Sequence, residues 1–358
     1  MDRKPLTSRQ LAKLLGVSQS TISRTFSRES SVSPKTREKV LKAADQLGYR
    51  PNAIARILSK HESDIVGVVT ADILSPFYLD LLNQLSVKMQ KNGLHPLLFN
   101  LPAGADGADQ LDVLRQYNVR NVIVISGRIA SSAVAKWAED GRSVILINRK
   151  MDANVGSVRS DNTASSKLVA DHFNDLGMKR VAFIGGPTGT PTSMEREAAF
   201  TQRVAELGMT LCAVGGGQEY SHEAGVEAVR SVIGKKPEAI FFANDRLAIG
   251  GMFALRGELS LRVPDDISIV GFDDIDMAAW TGIELTTVRQ DVTAITDAAM
   301  ALLEAAILGQ PGATDSIEIP CALIERKTTG PRRNSAGEGG AGARNGADDA
   351  ASPVPWTK

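Results

Sequence analysis

Gln19, Ser20, Thr21 and Arg24 follow Gly16-Val17-Ser18 within about one and a half helical turns. Their side chains end in an amide, two hydroxyls and a guanidinium, groups that grip phosphate oxygens and base edges rather than break bonds. In a major groove a guanidinium pairs with guanine and a primary amide with adenine, so Arg24 and Gln19 are the natural base readers. Gly16 supplies a turn, because left-handed backbone costs glycine little. Val17 plugs the angle between two helices, and Ser18 caps the second through its hydroxyl. This is the turn and second helix of a helix-turn-helix. Phosphate contacts fall to Ser18, Ser23, Thr25, the Lys35/Arg37/Lys39 cluster and the helix N-termini. Thr7 and Thr21 complete the candidate DNA contacts of this head. The blander account of the same residues is a small helical cap with a polar surface.

Three short helices must hold that surface in place. Thr7-Ser8-Arg9-Gln10 has the form of a capping box and opens a helix through Leu15, with Leu11, Ala12 and Leu15 on one face. The second helix is expected from Gln19 to Ser27, with Ile22 and Phe26 pointing inward. Ser33-Pro34 starts a third, to about Leu47, with Val40, Leu41, Ala44 and Leu47 as its inner stripe and Gly48 ending it. Residues 1–60 carry 13 Lys/Arg against 4 Asp/Glu, whereas the remaining 298 carry 28 against 37. A basic head on an acidic body points to a polyanion partner for the head alone.

Catalytic chemistry finds little support. His61, His95, His172 and His222 show no metal spacing, and no serine sits in a Gly-x-Ser-x-Gly elbow. Gly185-Gly186-Pro187-Thr188-Gly189 lacks the Gly-x-Gly-x-x-Gly spacing and a Walker lysine, and pairs such as Asp273-Asp274 are common in turns. No enzyme activity, metal or cofactor is expected. Cys212 and Cys321 make no disulfide framework and are expected as core thiols in a reducing cytoplasm. No apolar run approaches the ~18 residues of a membrane span, and no signal peptide opens the chain, so no membrane partner is expected.

Behind the head, short apolar runs alternate with helical patterns. Strands are expected at Ile65–Val69, Leu97–Phe99, Val122–Ile125 and Val144–Ile147, with helices near 78–91, 108–118 and 131–140. A second series has strands at Val181–Ile184, 211–214, Ile240–Phe242 and Ile267–Val270, with helices near 163–177, 194–208, 222–233 and 246–259. Leu285–Gln290, a helix at 291–309, Ile317–Ile319 and Leu323–Ile324 return the chain between them. Continuous apolar strands joined by helices imply parallel sheets covered on both faces. The expected fold is an all-α helix-turn-helix headpiece on an α/β core of two doubly wound subdomains. From Pro331 the Gly/Ala/Asn/Asp-rich sequence reads as a disordered tail, 331–358.

Thr7 to Leu58 resembles the headpiece of the lactose/galactose-repressor (LacI-type) family of bacterial transcriptional regulators. The resemblance rests on Leu11-Ala12, Gly16-Val17-Ser18, Thr21-Ile22-Ser23-Arg24, Val32-Ser33, Lys35-Thr36-Arg37-Glu38-Lys39-Val40, Gly48-Tyr49 and Pro51-Asn52. It implies that Gln19, Ser20 and Arg24 read bases, although Gln19-Ser20 departs from some members and the operator sequence does not carry over. It implies a hinge helix over 51–62 that forms on operator binding and pairs with its twin. Asn52 and Ala55 then join the DNA contacts, and Leu58 wedges into the minor groove; otherwise Leu58 packs at a domain boundary.

The body resembles the family's cores and periplasmic sugar-binding proteins. The matching residues are Ser75-Pro76-Phe77, Asn148-Arg149, Ser160-Asp161-Asn162, Gly185-Gly186-Pro187, Arg196, Ala243-Asn244-Asp245, Gly271-Phe272-Asp273-Asp274 and Leu285-Thr286-Thr287-Val288. The likeness implies an effector in the cleft, touched by Phe77, Asn148, Arg149, Arg196, Asn244 and Asp273, with Asp245 structural. Phe77 and Trp280 each fit either a ligand ring or the core. Thr163-Ala164-Ser165-Ser166 stands where members often have glycine. The division expected is headpiece 1–50, hinge 51–62 and core 63–330, the core splitting into 63–159 plus 289–318 and 160–288 plus 319–330. The partners implied are a double-stranded DNA operator, a small effector (a sugar or derivative) and a second copy in a homodimer. Dimer and tetramer both stay open, although no leucine heptad stands at the C-terminus to tetramerise the chain. The competing functions are a solute-binding protein and a sugar-modifying enzyme with an accessory DNA-binding head.

Overall fold

The computed structural model describes residues 6–26, 32–50, 64–70, 74–101, 107–125, 129–139, 141–151 and 154–331. The expected hinge, with Asn52, Ala55 and Leu58, and the tail from residue 332 lie outside the described residues.

In the head, α1 (Ser8–Leu15), α2 (Gln19–Thr25) and α3 (Pro34–Gln46) pack around Leu11, Ala12, Ile22, Val40, Ala44 and Tyr49. Each start is capped as its sequence demands. Thr7 and Gln10 close a reciprocal capping box, Ser18 accepts from the Thr21 amide, and Ser33 accepts from the Thr36 amide ahead of Pro34. The third helix buries a narrower stripe than expected: Leu41 and Leu47 are 40% and 51% exposed. The reason lies beyond the helix. Gly48 turns left-handed, and Tyr49 folds back into the core against Phe26, filling the space assigned to Leu47. The second helix stops at Thr25, short of Ser27. Thr25 is buried and donates its hydroxyl to the Thr21 carbonyl, so it is not a phosphate contact.

The body has strands β1 (Ile65–Thr70), β2 (His95–Asn100), β3 (Asn121–Ile125), β4 (Ser143–Ile147), β5 (Gly156–Ser160), β6 (Arg180–Gly185), β7 (Thr210–Gly216), β8 (Ala239–Phe242), β9 (Ser268–Asp273), β10 (Thr287–Arg289), β11 (Ser316–Ile319) and β12 (Ala322–Ile324). They form two sheets, in the orders β11-β5-β4-β3-β1-β2 and β12-β10-β9-β8-β6-β7. Every pairing is parallel except β10 with β12. The connecting helices are α4 (Pro76–Lys91), α5 (Ala108–Gln116), α6 (Ser131–Glu139), α7 (Asn162–Asp175), α8 (Pro191–Glu206), α9 (His222–Val232), α10 (Asp245–Phe253) and α11 (Val292–Leu308). Parallel strands need such crossovers, and the helices cover the sheet faces with apolar clusters.

The expectations missed β5, whose Gly156-Ser157-Val158-Arg159-Ser160 offers a single apolar residue; its neighbours β4 and β11 impose the extended form. The helix expected over 246–259 runs only to Phe253 and finishes in one π-helical turn, Ala254–Glu258. Cys212, on the edge strand β7, and Cys321, beside β12, are both half-buried rather than fully in the core, Cys321 packing against the second sheet's apolar cluster. Among the described residues no helix is long and apolar enough to cross a membrane.

Candidate DNA-reading helix and ligand cleft

On α2 the capping serine spends its hydroxyl inside the helix, bonded to Thr21 N–H and facing the Ser20 and Thr21 hydroxyls at 2.7 and 2.8 Å. Thr7 likewise engages Gln10. Gln19, Ser20, Ser23 and Arg24 stand exposed, with Thr21 half-buried. Arg24 folds back on its own helix, donating from Nε to the Ser20 carbonyl at 3.3 Å and from Nη2 to Ser20 Oγ at 3.2 Å. Gln19 Nε2 donates to Ser8 Oγ on α1 at 3.1 Å. In the basic cluster Lys35 and Arg37 are exposed, whereas Lys39 donates to the Leu15 carbonyl at 3.1 Å and braces the turn.

In the body, the carboxyl ends of both sheets converge on one cavity of about 30 Å³ lined by Ser75, Phe77, Tyr78, Asn148, Thr192, Arg196, Tyr220, Asn244, Asp273 and Gln290. Each lining residue lies on a segment leaving a strand's carboxyl end, where open α/β sheets bind ligands. Five expected residues, Phe77, Asn148, Arg196, Asn244 and Asp273, meet here. Arg149 does not. Its guanidinium turns away to the Ile129 carbonyl and the Ser131 hydroxyl. Trp280 is 56% exposed, so it is neither core nor part of this cavity; it sits in a larger neighbouring groove.

The polar groups are held by protein partners of their own. Arg196 is 4% exposed, lies 3.4 Å over the Phe272 ring, and donates to Asn162 Oδ1 at 2.8 Å and the Ala243 carbonyl at 2.6 Å. Its starting point also differs from expectation: α8 begins at Pro191, so Arg196 occupies the second turn. Asn244 caps α10 through Oδ1 and still lines the cavity. Asn148 and Asp273 adopt φ of +59° and +127°. The latter lies beyond the left-handed helical region and is a strained setting for a residue with a Cβ. Asp273 and Asp274 divide their work, since Asp274 turns outward to Arg289 and Arg326, each at 2.6 Å.

Tyr78, Tyr220 and Gln290 had no signal of their own beyond lying near expected residues. Burial pushes the Tyr78 phenol up to about 12, against a hydrogen bond to Asn148. Burial also raises Tyr220. Its ring covers Gly186, where an added Cβ would lie 2.2 Å from it, which explains a glycine whose spacing fits no nucleotide loop.

Two polar chains run from this cavity across the junction of the sheets. Gln290 Nε2 donates to Asp273 Oδ1 at 2.6 Å, and Ser160 Oγ donates to Gln290 Oε1 at 2.6 Å. Beyond Arg196 and Asn162, Asn162 Nδ2 donates to Glu195 at 2.9 Å. Glu195 in turn pairs with Arg159 of β5 at 2.8 Å, and Arg159 also pairs with Glu318 of β11.

The family described as "Bacterial regulatory proteins, lacI family" matches residues 9–52, and that described as "Periplasmic binding protein-like domain" matches residues 170–329. Over 302 residues, covering 80% of this chain and 88% of the relative, the chain is 31% identical to the HTH-type transcriptional regulator AscG of Escherichia coli (strain K12). It is 28% identical over 332 residues to the ribose operon repressor of Halalkalibacterium halodurans, covering 92% of this chain and 98% of that protein. A Lac repressor dimer crystallised with operator and the anti-inducer ONPF superposes with a TM-score of 0.83 at 25% identity, over 91% of this chain and all of that one.

Proposed function

Because the chain belongs to the lacI family of bacterial regulatory proteins, we propose that it is an effector-responsive, sequence-specific DNA-binding regulator. We take it to be a repressor governed by a sugar or related metabolite in the cleft. The observation that carries this is one chain pairing a capped helix with Gln19, Ser20 and Arg24 exposed and a cavity where Arg196, Asp273, Asn148 and Asn244 converge among buried aromatic rings. Sugar hydroxyls need donors and acceptors fixed in space, and sugar ring faces need aromatic cover. Its relatives are named as regulators and repressors, and the cleft groups bind and orient without offering a nucleophile paired to a base.

On this proposal residues 1–50 grip DNA, 51–62 transmit, and 63–330 sense and dimerise, in the cytoplasm. A cavity of about 30 Å³ holds a water or two, not a sugar ring. A ligand therefore enters by parting the sheets or swinging Tyr78 and Tyr220. Its hydroxyls then compete with Gln290 for Asp273, loosening the Ser160–Gln290–Asp273 chain across the junction. Effector shifts DNA binding only through its unequal affinity for the two arrangements.

The test is selection of random duplexes on the full-length protein, followed by titration of the enriched duplex with a panel of pentoses, hexoses and nucleosides. Enrichment of a roughly palindromic site whose affinity one metabolite changes supports the proposal. No enrichment over random DNA, with or without the panel, refutes it. Arg24→Ala should relax preference at one base pair by roughly 1–3 kcal/mol, measured by anisotropy against single-pair variants; equal loss on every sequence contradicts base reading.

A further inference from the structure

We infer that Ser8 is a positioning residue for Gln19, fixing its carboxamide so that it presents one donor and one acceptor to an adenine edge. The inference rests on the proposal that Gln19 reads a base.

Gln19 is the first residue of α2, exposed and several bonds long, so its amide would otherwise sample many directions. Its Nε2 instead donates to Ser8 Oγ, eleven positions away on a different helix, at 3.1 Å. Ser8 is itself fixed. It is the first residue of α1, immediately behind the Thr7–Gln10 capping box that sets the helix start. Behind it, Tyr49, 6% exposed and packed against Phe26, closes the head core on which α1 and α2 rest.

The chemistry then selects a base. A carboxamide has two N–H donors and one carbonyl acceptor. With one N–H held by Ser8, one N–H and Oε1 remain, which is the set that pairs with adenine N7 and N6 in the major groove. Guanine offers two acceptors there and leaves Oε1 without a partner. Ser8 touches no base in this account; it acts through Gln19.

The test uses full-length protein and the duplex enriched by selection. Anisotropy titrations against single-pair variants compare wild type, Ser8→Ala, Ser8→Thr, Gln19→Ala and the Ser8→Ala/Gln19→Ala double variant. Gln19→Ala should flatten the preference at one A·T pair. Ser8→Ala should weaken discrimination at that same pair by about 3- to 10-fold, the range one neutral hydrogen bond spans. Affinity for unrelated duplex and its salt dependence should not change, Ser8→Thr should restore the preference, and Ser8→Ala should add nothing on the Gln19→Ala background. Circular-dichroism melting checks that each variant folds, and Ser8→Thr keeps the test open if Ser8→Ala melts early. A uniform loss on all duplexes makes Ser8 a phosphate contact and overturns the inference. So does a loss that persists without Gln19, or an intact preference in Ser8→Ala when Gln19→Ala has lost it. If Gln19→Ala leaves every preference intact, base reading by Gln19 has failed and the inference falls with it.

Discussion

Asp245 is fully buried behind the cleft, accepting hydrogen bonds from the Ile275 amide and the Thr287 hydroxyl, and burial raises its carboxyl from 3.8 to about 6. Because the folded state binds this proton more tightly than the unfolded chain, the stability it contributes is full below about pH 4. That stability is lost as pH rises through about 6. Stability relative to Asp245→Asn should therefore fall between those limits, by on the order of 3 kcal/mol at most. Urea unfolding of both proteins at pH 4 and pH 7 measures it, and a difference independent of pH contradicts the assignment. At the cleft face, Arg196→Lys keeps the charge but loses the planar stack on Phe272 and the paired donors. The metabolite-dependent change in DNA affinity should vanish while affinity for the enriched duplex without metabolite stays within about twofold of wild type (under ~0.5 kcal/mol). A mutant that still responds normally removes Arg196 from the site. Side-chain direction is where the sequence was hardest to read. Asn148 and Arg149 follow the same strand, yet the left-handed turn at Asn148 sends one into the cavity and the other to Ile129 and Ser131.

Among the elements, short continuous apolar runs announced most strands, because a strand buried on both faces has no polar side to hide it. What they could not announce was structure imposed by neighbours. Strand β5 is extended because it lies between β4 and β11, and Tyr49 takes a core position through a turn whose return path no periodicity encodes. Helix closeness is equally silent in sequence. Helices α9 and α10 pack with backbone against backbone: a Cβ on Gly250 would sit 2.0 Å from the His222 carbonyl, and one on Gly225 2.2 Å from that of Leu247. Neither obstacle is a side chain that can rotate away, so the helices would have to separate. Gly250→Ala should cost roughly 1–3 kcal/mol despite alanine's better helix propensity. A calorimetric melt reads this as a lower Tm, and an unchanged or higher Tm means the crossing is looser than the structure has it.

At the scale of the molecule, the chain passes between the sheets near Ser160, near Gln290 and between β11 and β12, and the Asp273–Gln290–Ser160 chain ties two of those crossings to the cavity floor. On the proposed function, whatever fills the cavity acts on the segments that join the two sheets. On the same proposal it acts at DNA through a second copy of the chain, each copy supplying one headpiece to a two-fold site. Beside the cavity, α4 and the segments after β9 and β10 frame a groove of about 860 Å³ lined by Leu79, Asn83, Gln84, Met277, Trp280 and Val292. Leu79 and Trp280 are 49% and 56% exposed there, large apolar side chains lying close to the residues that would feel the effector. A homodimer that covers this face places effector-driven motion directly at its interface. Trp280→Glu puts a charge on that face without touching the core, so the monomer should melt as wild type does. Sedimentation velocity should show the dimer shifting toward monomer. Affinity for a palindromic duplex should fall more than about tenfold, because the second headpiece no longer binds at the effective concentration set by the first. If Trp280→Glu stays dimeric with full operator affinity, the copies meet through another face and the coupling from cleft to DNA takes a different route.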